Sequence, residues 1–371
     1  MQKVRVALIA GKMVGGGVES VMMNIIRYID DETYDIDILV DEDSSLVPVE
    51  IIEKYGAKVI YVPPYQQIFK YLRRLKNIFS ENSYQIVHAN ISALNIFPLM
   101  IAKLCGVPVR ISHNHNLIAP NAGFFKNSLK RFFSLFSNIF PNYRIAPTKE
   151  TGIWMFRKKP FFIVKNGIEV DKFKFNPSQR KKIRHFLNLK KDDFLIGSFG
   201  RMISSKKLFF LIRVIKAVIK KGKNVKLLLI GNGSVEKDLK KMVNTDKSLK
   251  DNVVFLNSQE KIHEFYSALD VYVFPSTSEA FGLAAVEAQI NGLYTIVSGG
   301  VPDEAKVLDE LFCKCEDYSI EKWAKKVKDS EMLTEAKRDS LSKSAATQAF
   351  NAKKMVLEIE VIYQNAIRKE K

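Results

Sequence analysis

Short apolar runs alternate with amphipathic stretches along this chain, and the alternation occurs twice. Val4 to Ala10, Asp35 to Val40, Gly56 to Val62, Gln85 to Ala89 and Val109 to Ser112 have the length and composition of buried parallel strands. A glycine loop and a helix over about Val18 to Tyr28 follow the first of them, and Asp35-Ile36-Asp37 reads as alternation on a strand edge. Phe161 to Val164 closes this half, and Asn166-Gly167 makes a turn. A second set follows: Phe194 to Phe199, Lys226 to Ile230, Val253 to Leu256, Val271 to Phe274 and Tyr294 to Val297, separated by helical patterns. The polar stretch Glu169 to Asp193, with Pro177, reads as the linker. From about Ser344 the chain is helical to its end, too short for another domain, and is expected to pack back on the first. Strands alternating with helices imply parallel sheets that bind ligands at the strands' carboxyl ends. The expected organisation is α/β: two Rossmann-like domains, 1–168 and 169–347, facing across a cleft, with 348–371 as a returning helix.

Composition sets the class. A chain of 371 residues exceeds one ordinary core, and 47% hydrophobic with 26% charged residues is globular usage. Three cysteines, Cys105, Cys313 and Cys315, make neither a disulfide framework nor a zinc site. A reducing cytoplasm fits them. VRVALIAG lacks a cleavage site and runs into a glycine loop, so it is a strand and not a signal core. The longest apolar candidate for a membrane span, Leu94 to Val109, is broken by Pro98, Lys103 and Pro108.

The net charge of +18 is the outlier, and it leaves nucleic acid, a membrane surface or anionic substrates open as partners. Two stretches bear on it. Gln67 to Phe79 carries Lys70, Arg73, Arg74 and Lys76, and Phe124 to Phe140 sets Phe125, Leu129, Phe132 and Phe136 at helical spacing beside Lys126, Lys130 and Arg131. Each is readable as a sheet-covering helix with a basic outer face or as an interfacial membrane helix.

The chemistry concentrates in Phe274 to Asn291, FPSTSEAFGLAAVEAQIN. Ser276 or Ser278 is expected to cap a helix whose free first-turn N–H groups attract an anion. Gly282 permits close backbone approach, and Glu287, about two turns in, suits sugar hydroxyls. Gly15-Gly16-Gly17-Val18-Glu19 after the first strand is a tight turn with amides for a phosphate, but its register is not that of a dinucleotide fold. Arg201 and Lys206 leave one strand end after Gly200, with Lys207 as the register competitor, and can meet one anion. His113-Asn114-His115 ends another strand, where hydrogen bonding or proton handling is a better reading than metal ligation. Gly231-Asn232-Gly233 is a permissive loop.

Taken in order, the GGVE loop, Val87-His88-Ala89, RISHNHN at Arg110 to Asn116, Asn166-Gly167-Ile168-Glu169 with Phe173, Gly200-Arg201 with Lys206, the GNG loop and Glu279-x7-Glu287 resemble retaining glycosyltransferases of family 4, with the GT-B fold. The likeness spans nearly all of the chain and is greatest to the enzymes of bacterial capsular and exopolysaccharide synthesis. It implies a nucleotide-sugar donor, UDP-linked by expectation, and a lipid-linked or saccharide acceptor at the inner face of the membrane, with no nucleic acid. It implies that Gly16 and Gly17 open toward the donor phosphates, with Gly200 and Gly231 beside them. Arg201 and Lys206 would bind the diphosphate, and Glu287 the ribose. Glu279 would hold the donor sugar, and His113 would sit near its reacting side. The amides of Phe281, Gly282 and Leu283 would help with the distal phosphate. No cofactor or metal is expected, so positive charge comes from Arg201, Lys206 and helix N-termini. The implied route is a same-face displacement in which the leaving phosphate takes the acceptor's proton. Ala280, Asn257 and Leu293-Tyr294 depart from the family pattern without removing a charged group. A nucleotide-sugar epimerase of the same fold is the nearest rival, and a basic nucleic-acid-binding protein the more distant one.

Overall fold

The computed structural model describes residues 3–115 and 132–370. These fall into two compact units: 3–115 with 132–167 and 350–370, and 168–349. Among the described residues the first unit holds β1 (Val4–Gly11), β2 (Tyr34–Asp41), β3 (Lys58–Val62), β4 (Ile86–Ala89), β5 (Val109–His113), β6 (Tyr143–Ala146) and β7 (Phe162–Ile163). They form one parallel sheet in the order β3-β2-β1-β4-β5-β6-β7. The second unit holds β8 (Phe194–Phe199), β9 (Val225–Ile230), β10 (Val253–Leu256), β11 (Val271–Phe274), β12 (Tyr294–Ser298) and β13 (Phe312–Cys315). Its sheet is also parallel and runs β10-β9-β8-β11-β12-β13. Both are Rossmann-like. The strand order reverses beside β1 in one and beside β8 in the other, and such switch points open crevices at the carboxyl edge.

The apolar runs became strands because both faces of each sheet are covered by helices, which favours continuous rather than alternating hydrophobicity. Two strands carry no such run. β6 contains Arg144, whose guanidinium donates to Asn138 Oδ1 at 2.7 Å, and β13 is a half-buried edge strand, Phe-Cys-Lys-Cys. β2 is not an edge. It lies between β3 and β1, and its Asp37 receives Arg5 Nη2 of β1 at 2.9 Å while Asp35 lies 3.5 Å from Arg5 Nε. The expected linker is instead structured: Asn176 caps a helix over Pro177–Phe186 by accepting from the Gln179 amide at 3.0 Å. Pro177 opens that helix, where its missing N–H costs nothing. Arg180 and Arg184 of the helix both reach the buried Asp270 carboxylate, at 2.6 and 3.2 Å.

The first basic stretch forms a helix over Ile68–Asn82 that covers the sheet with Tyr71, Leu75, Ile78 and Phe79. Its outer face carries Lys70, Arg73, Arg74 and Lys76, and Phe69 stands beside them 87% exposed. The second basic stretch lies only partly within the described residues. Phe125, Lys126, Leu129, Lys130 and Arg131 are outside them. Helical backbone runs over 132–135, and across 132–139 Ser134 and Ser137 are buried while Phe132, Leu135 and Ile139 are exposed, the reverse of a core-facing apolar stripe. The cause is local: Ser137 Oγ donates to the carbonyls of Ser134 and Met155, both at 2.8 Å. Among the described residues no helix is long and apolar enough to cross a membrane.

The last helix, Ala352–Glu370, returns to the first unit. Met355, Val356, Ile359, Ile362, Tyr363 and Ala366 recur at helical spacing and join the core that includes Val21, Ile25 and Ile38. The turn before the second unit is fitted to it. A Cβ on Gly167 would fall 2.6 Å from Ala352 Cα, and the Gly167 carbonyl accepts from Asn24 Nδ2 at 3.0 Å. Because Ile359 is fully buried there, Ile359→Ala is expected to cost about 2–5 kcal/mol in urea unfolding. Leu357→Ala, on the exposed side of the same helix, should change stability by no more than about 0.5 kcal/mol. Similar losses for both would mean that the helix is not anchored by this face.

Candidate functional site

In the second unit the carboxyl ends of β8, β9 and β11 lie side by side, and each is followed by a loop the sequence had marked. Gly200 donates its amide to the Ile230 carbonyl at 2.9 Å and adopts φ +130. Gly231, at φ +145, passes so near that a Cβ on it would lie 2.0 Å from the Gly200 carbonyl oxygen. Glycine is therefore demanded by the backbone at both positions and by packing at Gly231. A small recess here is lined by Gly200, Arg201, Met202, Lys206, Leu208 and Phe274, among others. Arg201 is exposed at its mouth.

Lys206 closes a 3₁₀ turn over Ser204–Lys206. Its ammonium forms an ion pair with Glu279 Oε1, and it lies 4.7 Å from the Phe274 ring centroid. Lys206 is fixed from below as well: the Ser205 carbonyl accepts from the Thr277 amide at 2.8 Å and from Thr277 Oγ1 at 3.2 Å. Thus the loop after β8 is sewn to the loop after β11. The Glu279 amide in turn donates to Gly300 at 2.8 Å.

The expected serine cap is absent. The helix spans Leu283–Ile290 with Gly282 as its N-cap at φ +90 and no side-chain cap bond. Ser276 is instead within reach of the Ser205 and Ser278 carbonyls, at 3.4 and 3.5 Å. The first-turn amides of Leu283 and Ala284 lie behind Gly282 and Phe281, with the positive helix end at their backs. Because the helix begins at Leu283, Glu287 is one turn in rather than two. Tyr266 donates its hydroxyl to Glu287 Oε2 at 2.7 Å, and burial pushes the Glu287 carboxyl up to about 7.

In the first unit, Glu19 turns back on the glycine loop: its carboxylate accepts from the Val14 and Gly15 amides at 2.9 and 2.6 Å. Those two amides, expected to face a phosphate, are thereby occupied. Gly16 is extended, and Gly17 begins the first helix, Gly17–Tyr28. His113 is the last residue of β5, and it, Asn114 and His115 are all buried. The His113 ring lies 3.8 Å from that of His115, centroid to centroid, tilted by 36°. His113 Nδ1 meets His88 Nε2 at 3.1 Å, and His88 Nδ1 meets the Tyr363 hydroxyl at 2.6 Å. Burial lowers all three imidazoles, with His88 and His115 brought to about 3. They are neutral at physiological pH.

Tyr266, Tyr363 and Ser205 were not anticipated as site residues, and Phe274 and Thr277 lay within the marked stretch without an assigned role. The hydroxyl partners of Tyr266 and Tyr363, Glu287 and His88, lie far from them in sequence, and only the fold brings these segments together.

Two parallel Rossmann-like units with polar loops at the carboxyl edges define the GT-B class of glycosyltransferases. Family comparison agrees with the geometry. The model for Glycosyltransferase Family 4 matches residues 15–172, and that for Glycosyl transferases group 1 matches residues 179–348. The chain is 25% identical over 99% of its length to EpsF of Bacillus subtilis (strain 168), which is named for glycosyltransferase activity, and covers 98% of that protein. It is 25% identical over 80% of its length, and 79% of the relative's, to the UDP-Gal:alpha-D-GlcNAc-diphosphoundecaprenol alpha-1,3-galactosyltransferase of Escherichia coli. Among solved structures, Anabaena HepE in complex with UDP and glucose superposes with a TM-score of 0.80 at 18% identity, covering 97% of this chain and 99% of that one. WaaG, a glycosyltransferase involved in lipopolysaccharide biosynthesis, gives 0.74 at 17%, covering 96% and 99%. The chain belongs to glycosyltransferase family 4.

The raised Glu287 carboxyl has a thermodynamic consequence. An acid whose folded value lies above its unfolded one contributes stability in full below the unfolded value, and loses that contribution as pH rises through the folded one. With the usual value of 4.5 and a folded value of about 7, the ligand-free protein should lose stability across that window. Glu287→Gln should flatten this part of the profile, measured as melting temperature from about pH 5 to pH 8. Identical slopes in the two proteins would mean that Glu287 is not titrating in the buried state.

Proposed function

We propose that the protein transfers a sugar from a nucleotide-sugar, most simply a UDP-sugar, to a lipid-linked or saccharide acceptor in cell-surface polysaccharide synthesis, with retention at the anomeric carbon. The observation that carries this reading is the meeting of Lys206 and Glu279 beside Arg201 and the Gly282-capped helix. Cations and first-turn amides suit a diphosphate, and carboxylates suit sugar hydroxyls. The named activity of the Escherichia coli relative, which pairs a UDP-sugar with a diphosphoundecaprenol acceptor, supports both substrate classes.

In this reading Arg201 and Lys206 stabilise the charge that grows on the diphosphate as it leaves, the contribution that a preorganised site makes largest. Glu279 accepts from hydroxyls of the donor sugar, and Glu287 accepts from the ribose. The departing phosphate oxygen takes the proton of the acceptor hydroxyl as the new glycosidic bond forms on the same face. No metal takes part. Lys206 is shared between Glu279 and the incoming phosphate, so binding costs part of an existing ion pair. Arg201, exposed and free to approach, carries the greater new contact.

Arg201→Ala should therefore lower turnover by about 100- to 1000-fold at saturating donor. Its melting temperature should be unchanged, and wild-type activity should survive EDTA. Near-wild-type turnover in the variant would remove Arg201 from the reaction, and activity lost in EDTA and restored by magnesium or manganese would remove the metal-free step.

We also propose peripheral attachment to the inner leaflet through the outer face of the Ile68–Asn82 helix, where exposed Phe69 sits among Lys70, Arg73 and Arg74. Each basic residue near an anionic surface contributes about 1 kcal/mol, lost over a Debye length of about 8 Å at physiological salt. Co-sedimentation with anionic liposomes at low salt should fall sharply when Phe69 becomes Ser together with Arg73→Ser and Arg74→Ser. If wild type stays in the supernatant, this face serves solubility alone.

A further inference from the structure

The buried chain Tyr363–His88–His113 leaves its protons few places to go. Tyr363 is fully buried, and among the described residues its hydroxyl has no hydrogen-bond partner besides His88 Nδ1. If His88 carried its proton on Nδ1, the phenol would be the acceptor with its own O–H orphaned, and the reversed chain would leave His113 Nε2 a bare, unmet lone pair as well; with the phenol as donor only one group, the His113 Nε2–H, is left unmet. The phenol is therefore the donor. His88 Nδ1 accepts, so neutral His88 is protonated on Nε2 and donates to His113 Nδ1 at 3.1 Å. Neutral His113, accepting at Nδ1, must carry its proton on Nε2. That Nε2 is buried and has no partner among the described residues.

His115 can be assigned independently. Asn90 donates through Nδ2 to the His88 carbonyl at 3.2 Å, which turns its Oδ1 toward His115 Nε2 at 2.9 Å. His115 is then also protonated on Nε2, and its Nδ1 is a buried lone pair without a partner among the described residues. The adjacent rings thus offer one unmet donor and one unmet acceptor. A phosphate or carboxylate oxygen satisfies only the donor, whereas a hydroxyl satisfies both.

We infer that Tyr363, acting through His88, is a positioning residue that holds His113 as a neutral Nε2–H donor, and that the His113–His115 pair is a site for a hydroxyl rather than for an anion or for proton abstraction. Given the sugar-transfer reading above, on which this rests, the hydroxyl belongs to a substrate sugar; in the resting protein a water can make the same two bonds. His113 then orients and polarises a substrate oxygen but does not remove a proton, because its Nδ1 is already engaged and its Nε2 already protonated. The groups facing this set are the Tyr363 phenol, the Asn90 amide and the imidazoles themselves, with Asn95 Nδ2 donating to the His113 carbonyl at 3.2 Å.

The test is the tautomeric state, read without any sugar or transfer reaction, so its failure is separable from failure of the transferase reading. The chain has five histidines, few enough for long-range proton–nitrogen correlation spectra of ring-labelled protein, assigned with single His→Gln variants. His88, His113 and His115 should each show a protonated Nε2 and a bare Nδ1, unchanged across the range in which exposed histidines titrate. Tyr363→Phe keeps the ring and removes the donor. It should release His88 to protonate Nδ1 and give mixed tautomers at both His88 and His113, with His115 unaffected. A protonated Nδ1 on His113 or His115 in the wild type would overturn the hydroxyl site. Unchanged tautomers in Tyr363→Phe would overturn the role of Tyr363. Should that variant fail to fold, the wild-type spectra alone still decide the first point.

Discussion

Parallel pairing places every strand's carboxyl end on one edge of the sheet, about 4.8 Å from the next, and the loops leaving that edge must share the space. In the second unit this constraint governs the whole site. The loops after β8 and β9 cross so closely that a Cβ on Gly231 would overlap the Gly200 carbonyl, and one on Gly233 would lie 2.2 Å from Met202 O. The loop after β12 presses on that after β11 in the same way, with a Cβ on Gly300 only 2.4 Å from Thr277. Glycines here are packing necessities before they are ligand contacts. Their absence of side chains leaves Arg201, Lys206 and Glu279 as the groups that project from a floor of backbone.

That floor is held from behind by charge buried in fixed geometry. Arg338 donates to the Tyr266 carbonyl at 2.8 Å and to the Asn291 carbonyl at 3.1 Å, tying the end of the Glu287 helix to the segment that carries Tyr266. Asp270, at the start of β11, is gripped by Arg180 and Arg184. Removing one member of such a set would strand the others, which is more damaging than the pair is stabilising. Rigidity on the hidden side permits the exposed side to carry groups poised away from their resting preference: Glu287 desolvated beside a tyrosine, and Lys206 divided between a carboxylate and an aromatic face.

How much of this the sequence disclosed follows from the range of the interactions involved. Apolar runs such as Phe194 to Phe199 declare strands because burial on both faces acts residue by residue. β6 and β13 escaped because Arg144 and Lys314 break their runs; Arg144 finds its acceptors only once Asn138 and Pro141 fold beneath it. The spacing of Glu279 and Glu287 was visible, but the helix start between them was not. Ser276 and Ser278 look like caps, and the contest is decided by the Ser205 carbonyl, 71 residues away. The glycine loop near residue 15 reads as a tight turn whose amides could face a phosphate. Yet the carboxylate that takes two of its amides, Glu19, stands within the same motif, and propensity alone does not say whether a side chain or a ligand occupies them.

The basic surplus is a separate matter from the site. Arg201 and Lys206 are two of 58 lysines and arginines, and Lys206 is already neutralised by Glu279, so the site's chemistry does not require a net charge of +18. Much of the remainder lies on helix faces whose other side is core, as in Ile68–Asn82, where alternate residues bury Tyr71 and Leu75 and expose Arg73 and Arg74. A charge spread of this kind adds little to folding, since exposed ion pairs are each worth under about 1 kcal/mol. It does produce a long-range field that raises the local concentration of anionic partners, and that field is screened by salt whereas the buried contacts of the site are not. In the proposed function, encounter with an acidic surface and recognition of a sugar diphosphate would thus be separable, because the first would depend on charges in water and the second on charges held against backbone.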